Sequence, residues 1–149
     1  MRFQQEFLAD CYQEAQHLLK MHWEEIALNK DAIKLNPDYE QYEEAEKAGM
    51  LRIFTARDGA KIVGYFALLV HRSLHYRDHM FATNDVIYLD PEYRKGLTAS
   101  KMMRFAVDCL TQDGVSMVFI NTKIHKPFDI LLERLGFNHV ENVYAKRLI

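Results

Sequence analysis

No apolar run comes near the roughly 20 residues that a membrane-spanning helix needs. The opening MRFQQEFLAD has acids and no apolar core, so it does not read as a signal peptide. Cysteine is scarce. Cys11 and Cys109 stand alone and far apart in helix-like runs, which fits buried reduced thiols and neither a disulfide framework nor a zinc pair. Three prolines and six glycines make no Gly/Ser linker, and there is no repeat or low-complexity tract. The 149 residues therefore read as one domain, 1–149. Neither sign of charge dominates. A net charge of −2 argues against nucleic acid as a partner, and no feature argues for a membrane. Also missing are the phosphate-binding patterns G-x-x-x-x-G-K-[ST] and G-x-G-x-x-G. What the chain does have is 49% hydrophobic residues, enough for a real core. The expectation is a soluble cytoplasmic protein, and a homodimer is compatible with it.

The hydrophobic period changes along the chain. Residues 1–6 fit a strand or a helix start. From Phe7, apolar residues Leu8, Cys11, Tyr12, Ala15, Leu19, Trp23 and Ile26 recur every three or four, which predicts one helix. Asp38 is a good N-cap for a second, acidic helix over 39–48, closed by Gly49. Residues 51–57 and 61–70 read as strands joined at Asp58-Gly59, a hairpin signal. A polar loop over 71–79 precedes a strand over 81–89. Ala99, Met102, Met103, Ala106 and Leu110 mark a helix, 115–122 a strand, and 128–135 a short helix before Gly136. Residues 144–148 read as a last strand, with 137–140 beside it. Strand–helix–strand around residues 90–105 implies a right-handed crossover and a parallel pair, the hairpin an antiparallel one. The expected fold is thus α/β with a mixed, mostly antiparallel sheet and helices on both faces.

The junction DPEYRKGLTASKMMRF, residues 90–105, places cations where a helix N-terminus is already partly positive. That arrangement favours an anionic ligand. Free N–H groups at Thr98, Ala99 and Ser100 can cradle a pyrophosphate. Gly96 permits close approach, Arg94 can grip phosphate with its fork, and Lys95, Lys101 or Arg104 can add charge. An ordinary solvated loop is the alternative reading.

In context this junction resembles the acyl-CoA loop of the GNAT superfamily of N-acetyltransferases, a Pro-x-Tyr-Arg lead into Arg/Gln-x-x-Gly-x-Gly/Ala. H-K-P-F-D-I-L-L-E-R-L-G-F, residues 125–137, resembles that family's last-helix segment, and the element order matches as well. The wording H-W-E-E, H-Y and R-K-G-L-T-A is most similar to small members encoded by tailed bacteriophages, for which the compartment would be the host cytoplasm. The resemblance implies acetyl-CoA as cosubstrate and an amine acceptor, either a small molecule or a protein. It implies that strands 81–89 and 115–122 splay, that pantetheine pairs near Leu89, and that Arg94, Lys95, Gly96, Leu97, Thr98 and Ala99 hold the pyrophosphate. Three departures matter. The family's central Gly falls on Leu97, its pantetheine-contacting Asn on His125, and the Tyr that protonates the leaving thiolate on Leu132.

Acetyl transfer needs a neutral amine, a stabilised oxyanion and a protonated thiolate. Asp85 lies mid-strand, where an acid is disfavoured. By period two it shares a face with Thr83, Ile87 and Leu89. It reads as the base, or as a solvated or Arg-paired acid. A backbone N–H near Leu89 is the implied oxyanion donor. Glu24 or Glu25, ending the first helix, could hold a cationic amine or simply face water, while Trp23 continues the apolar stripe. With Leu132 unable to donate, Tyr76, beside His75 in the strand connector, or Tyr144 or water is the candidate acid. His71, His75 and His79 would align for a metal only on a helix, and this segment reads as strand end and loop; no metal is expected. A protein that keeps the fold and acts through a protein partner is the alternative function. A different phosphate-ligand enzyme ranks last.

Overall fold

In the computed structural model, which describes residues 1–149, the change of period becomes a change of layer. Strands β1 (Arg2–Glu6), β2 (Leu51–Asp58), β3 (Lys61–Arg72), β4 (Met80–Leu89) and β5 (Val115–Phe119) form one sheet in that spatial order. The first three pairings are antiparallel and β4–β5 is parallel. A parallel pair needs a crossover, and α4 (Thr98–Gln112) supplies it. The remaining helices are α1 (Leu8–Cys11), α2 (Gln16–Ile26), α3 (Tyr39–Lys47) and α5 (Asp129–Arg134). This is the mixed, mostly antiparallel α/β sheet that the sequence predicts.

Both faces of the sheet are covered, so β2 and β3 are buried almost throughout and show no in–out alternation. On one face Phe54, Val63, Phe66, Leu68 and Leu89 pack against α4. Its Met102, Met103, Ala106 and Leu110 are at most 1% exposed. Each large side chain so buried contributes about 1.5–3 kcal/mol. On the other face Cys11, Ala15 and Leu18 pack on Ile53, Ile62, Tyr65, Ala67 and Tyr88. Gly64 pairs with Leu89 at the far end of β4. A Cβ on Gly64 would lie 2.8 Å from Leu89 Cδ1 and 3.0 Å from the Tyr88 carbonyl, so glycine lets β3 approach this end of β4 without displacing the buried Leu89 side chain.

Three expectations change. Residues 1–6 settle as strand β1, held to β2 by Arg57. That buried guanidinium donates to Glu6 at 2.8 and 3.0 Å and to Glu14 at 3.1 and 3.2 Å. The helix expected from Phe7 is two helices, α1 and α2, with a turn over 12–15. The bond from Gln16 N–H to the Gln13 carbonyl tightens this turn, and Glu14, within it, faces Arg57. The strands expected over 137–140 and 144–148 do not form, and every residue from Asn138 onward is exposed. Val140, Val143, Tyr144 and Leu148 are each at least two-thirds exposed, so this segment buries no apolar face against the sheet. The tail's only ion pair joins Arg147 to Asp31, at 3.0 and 3.1 Å.

Candidate active site

β4 loses one neighbour halfway along. Its ladder with β5 ends at Thr83 opposite Phe119. There the Asn84 carboxamide takes the place of the next rung. It accepts from Asn121 N–H at 2.7 Å and donates to the Asn121 carbonyl at 3.3 Å. Beyond this clasp β4 pairs only with β3, and its second backbone edge lines a gap. An extended ligand carrying amides can add to such an edge. β5 is correspondingly shorter than the 115–122 predicted, and this parting of β4 and β5 agrees with the splay that the resemblance implied.

At the start of the gap the β4 register slips. Ala67 faces Val86, whereas Leu68 faces Asn84, which leaves Asp85 as the extra residue of a bulge. The bulge reverses the expected alternation. Ile87 and Leu89 pack on the α4 side, while Asp85 meets α3, where the Tyr42 hydroxyl donates to its carboxylate. Burial raises the Tyr42 pKa and the neighbouring Asp85 charge raises it further. The phenol therefore stays a donor, and Asp85 is held on the helical side of the gap. Asp85 is exposed and in no ion pair.

The junction after β4 is built tightly. The Asp90 carboxylate accepts from Glu92 N–H at 3.0 Å, and Pro91–Tyr93 make a short 3₁₀ turn. Tyr93 donates to Asp58 at 2.8 Å. Gly96 has φ +82° with open space around it, so glycine serves the left-handed backbone there. Leu97 precedes α4 without offering a side-chain cap. The first-turn N–H groups, around Thr98 and Ala99, thus face outward with no side-chain acceptor. Lys95, Lys101 and Arg104 are exposed and join no ion pair. This set suits a phosphate group.

Arg94 is placed differently from expectation. Its two terminal nitrogens donate to Glu25 at 2.6 Å each, and Nε donates to the Leu89 carbonyl at 2.8 Å. The guanidinium lies 5.1 Å over the Tyr88 ring. The hydrogen bonds from Arg94 hold the Glu25 carboxyl below the usual range. The fork expected to grip phosphate pins the end of α2 to the loop, and its Nε also engages the Leu89 carbonyl. Next to this pin His22 stacks on Tyr88 at 4.8 Å and shares a 2.7 Å hydrogen bond with the Tyr65 hydroxyl. Burial lowers the His22 pKa to about 4, so it is neutral at pH 7.

Not all the expected residues converge. Glu24 turns outward to Lys30, 3.7 Å away, and Glu25 is the carboxylate that faces the junction. Tyr76 lies against Phe81, four residues before Asp85. At ~3.3 Å per residue that is roughly 13 Å back along β4, so Tyr76 does not join the gap. Tyr144 is 90% exposed in the tail. Leu132 packs beside the α4 core. His125 is exposed on the loop after β5. The nearby Lys123 and Lys126 are close enough to act electrostatically on His22 and Glu25, so this loop forms the opposite bank. No group of three or more His, Cys, Asp or Glu is placed to hold a metal ion. Sequence reasoning missed Tyr42 and Tyr88. An acidic helix with a weak apolar stripe gives no hint that its tyrosine will reach a strand 43 residues away.

A model of the acetyltransferase (GNAT) family matches residues 9–137. A search of curated proteins found no significant match. Among solved structures, a ribosomal-protein-alanine N-acetyltransferase from Brucella melitensis biovar Abortus 2308 is 17% identical, with a TM-score of 0.73 and coverage of 99% of this chain and 100% of that one. A predicted acetyltransferase with acetyl-CoA from Clostridium acetobutylicum is 11% identical, with a TM-score of 0.71 and coverage of 98% and 95%. An aminoglycoside acetyltransferase from an uncultured soil metagenomic sample, in complex with sisomicin, is 16% identical, with a TM-score of 0.71 and coverage of 99% and 96%. At such identities the likeness is one of fold. These matches lend no support to the likeness to phage-encoded members.

Proposed function

The chain belongs to the acetyltransferase (GNAT) family, and on that premise we propose that it transfers an acetyl group from acetyl-CoA to a primary amine by direct attack in a ternary complex. The observation that carries this is the pairing of two features around one loop. The unpaired edge of β4 beyond the Asn84 clasp suits the pantetheine amides, and the uncapped start of α4 beside Lys95 and Lys101 suits the pyrophosphate. In this reading Gly96, Leu97, Thr98 and Ala99 supply backbone to the phosphates, Lys95 and Lys101 supply charge, and Arg94 holds the loop in shape. His125 borders the pantetheine from the far bank.

The reaction follows. Asp85, steadied by Tyr42, takes a proton from the ammonium directly or through water. The neutral amine attacks the thioester carbon, and an N–H on the free β4 edge stabilises the oxyanion. The attacking nitrogen gives up its second proton to water as the C–S bond breaks, giving an N-acetyl amine and coenzyme thiolate. With Leu132 unable to donate and Tyr76 and Tyr144 away from the gap, water protonates the thiolate or it leaves as the anion. A thiol with a pKa near 8.5 tolerates that. The lack of a tyrosine at position 132 also supports a second reading, a protein that retains the fold but acts by binding a protein partner.

Thermal unfolding with CoA and acetyl-CoA tests the cosubstrate. At a hundredfold excess over its dissociation constant the ligand stabilises by about 2.7 kcal/mol. Reversing Lys95 and Lys101 to Glu should remove the shift without changing the unliganded melt. No shift at millimolar CoA would overturn the proposal. Binding without turnover on any amine would favour the second reading.

A further inference from the structure

The Asp85 bulge also points Val86 toward a cleft between the sheet and helices α1–α3. We propose that this cleft binds the apolar body of a small free amine, an aralkyl or branched alkyl amine, with its nitrogen at Asp85. The inference rests on the acetyltransferase reading and narrows its acceptor.

Its walls carry the argument. Tyr12, Tyr39, Tyr42 and Tyr65 supply four rings, and Leu19 and Val86 add aliphatic surface. Tyr12 and Tyr39 stand 5.0 Å apart centre to centre, and Tyr39 and Tyr42 6.3 Å, so three of the rings form one continuous aromatic wall. No charged side chain lines the cleft. Every hydroxyl on it already has a partner. Tyr42 donates to Asp85, Tyr65 pairs with His22, and Thr55 donates to Glu6. Tyr12 and Tyr39 accept from Gln13 and Gln16. The cleft is half-open and its inner space is about 70 Å³, so a branched alkyl group or part of one ring enters and the rest of the amine stays at its mouth.

Acceptors of other chemistry fit poorly. An amino sugar or an aminoglycoside would bury several hydroxyl or ammonium groups against these walls without partners, and each unpaired group is penalised. A sugar phosphate would find no cation. A peptide N-terminus would bring several backbone amides to a surface whose remaining free donors are the Tyr12 and Tyr39 hydroxyls, which accept from Gln13 and Gln16. An aralkyl amine loses only apolar surface to the cleft and leaves its one charge at the one carboxylate, Asp85. Tyr42 joins the two parts of the site, lining the cleft with its ring and holding Asp85 with its hydroxyl.

Isothermal titration of the CoA-loaded wild-type protein decides the matter. The probes are 2-phenylethylamine, glucosamine, sisomicin and the peptide Phe-Gly-Gly amide. 2-Phenylethylamine should bind at least tenfold more tightly than the other three. Tyr39→Ala, which removes wall, and Leu19→Phe, which fills the cleft, should each weaken it at least tenfold. Should both variants misfold, NMR cross-relaxation between the bound amine's ring and tyrosine ring protons of the wild type decides in their place. Equal or tighter binding of a sugar, the aminoglycoside or the peptide would overturn the proposal, as would phenylethylamine binding that neither variant alters. Repeating the titration without CoA separates the two conclusions. A protein that takes up phenylethylamine but not CoA keeps this cleft and loses the acetyltransferase reading; one that binds CoA and none of the amines loses the cleft alone.

Discussion

Individual side chains here are set less by their type than by what the backbone does beneath them. Asp85 is the example. On an even strand it would lie with Ile87 and Leu89 against α4; the bulge at that residue sends it to Tyr42 instead. If it is the base, Asp85→Asn should lower turnover at pH 7 at least tenfold, within the roughly 10²–10⁴-fold typical of positioned acid–base groups. Activity should partly return as pH rises and the amine deprotonates unaided. Tyr42→Phe should give a smaller loss of the same pH form, whereas Tyr76→Phe should change little, because Tyr76 lies over Phe81. pH–rate profiles of the four proteins check this, and a wild-type profile for Asp85→Asn would remove Asp85 from the mechanism. His22 has a separate signature. Its pKa is about 4 in the fold against about 6.5 unfolded. Between those values the unfolded chain binds the extra proton, so stability rises with pH through this window. The His22 contribution is complete above about pH 6.5 and is lost as pH falls towards 4, up to about 3 kcal/mol. Chemical unfolding of His22→Gln against wild type from pH 4 to 7 should show a flatter dependence in the variant. Parallel curves would mean that His22 does not titrate as its burial requires.

At the scale of elements, the loop between β4 and α4 was the most legible part of the sequence and also the one most revised. Its position, its glycine and its uncapped helix start can be read from residues 90–105 because turn chemistry and helix caps are local. The partner of Arg94 cannot, because Glu25 is 69 residues away. A cation in a suggestive loop has several long-range uses, and the sequence does not rank them. The consequence is measurable. Arg94→Ala should lower the unliganded melt, since it leaves Glu25 and the Leu89 carbonyl without their donor. Lys101→Ala should leave the melt alone and weaken CoA binding. Had Arg94 been a free phosphate ligand, the two variants would behave alike. The split of the first helix was hidden for a related reason. Its apolar spacing continues across the turn at 12–15, and the buried Arg57 that faces Glu14 lies on a strand 43 residues on.

For the whole molecule, the sheet order and the two covered faces follow from periods written along the chain, and the layers came out as the sequence predicts. The C-terminus did not. Residues 138–149 have strand-like composition, and they bury nothing. Fold stability should then reside in residues 1–137, with the tail contributing through the Arg147–Asp31 pair, in which Asp31 is 70% exposed. Exposed pairs contribute about 0–1 kcal/mol. Removing residues 138–149 should therefore change the unfolding free energy by less than about 1 kcal/mol and leave CoA binding intact. Gly64→Ala is the opposite case. It adds one methyl group, yet a Cβ there would meet Leu89 Cδ1 at 2.8 Å and the Tyr88 carbonyl at 3.0 Å, so the buried Leu89 side chain must turn and the β3–β4 ladder must give slightly. That change should exceed about 1 kcal/mol, as overpacking does, and should also weaken CoA binding, because it moves the end of the strand that leads into the α4 loop. Denaturant unfolding and CoA titration of the two variants together test the placement of structural weight. A truncation more harmful than Gly64→Ala would mean that the tail is part of the folded core.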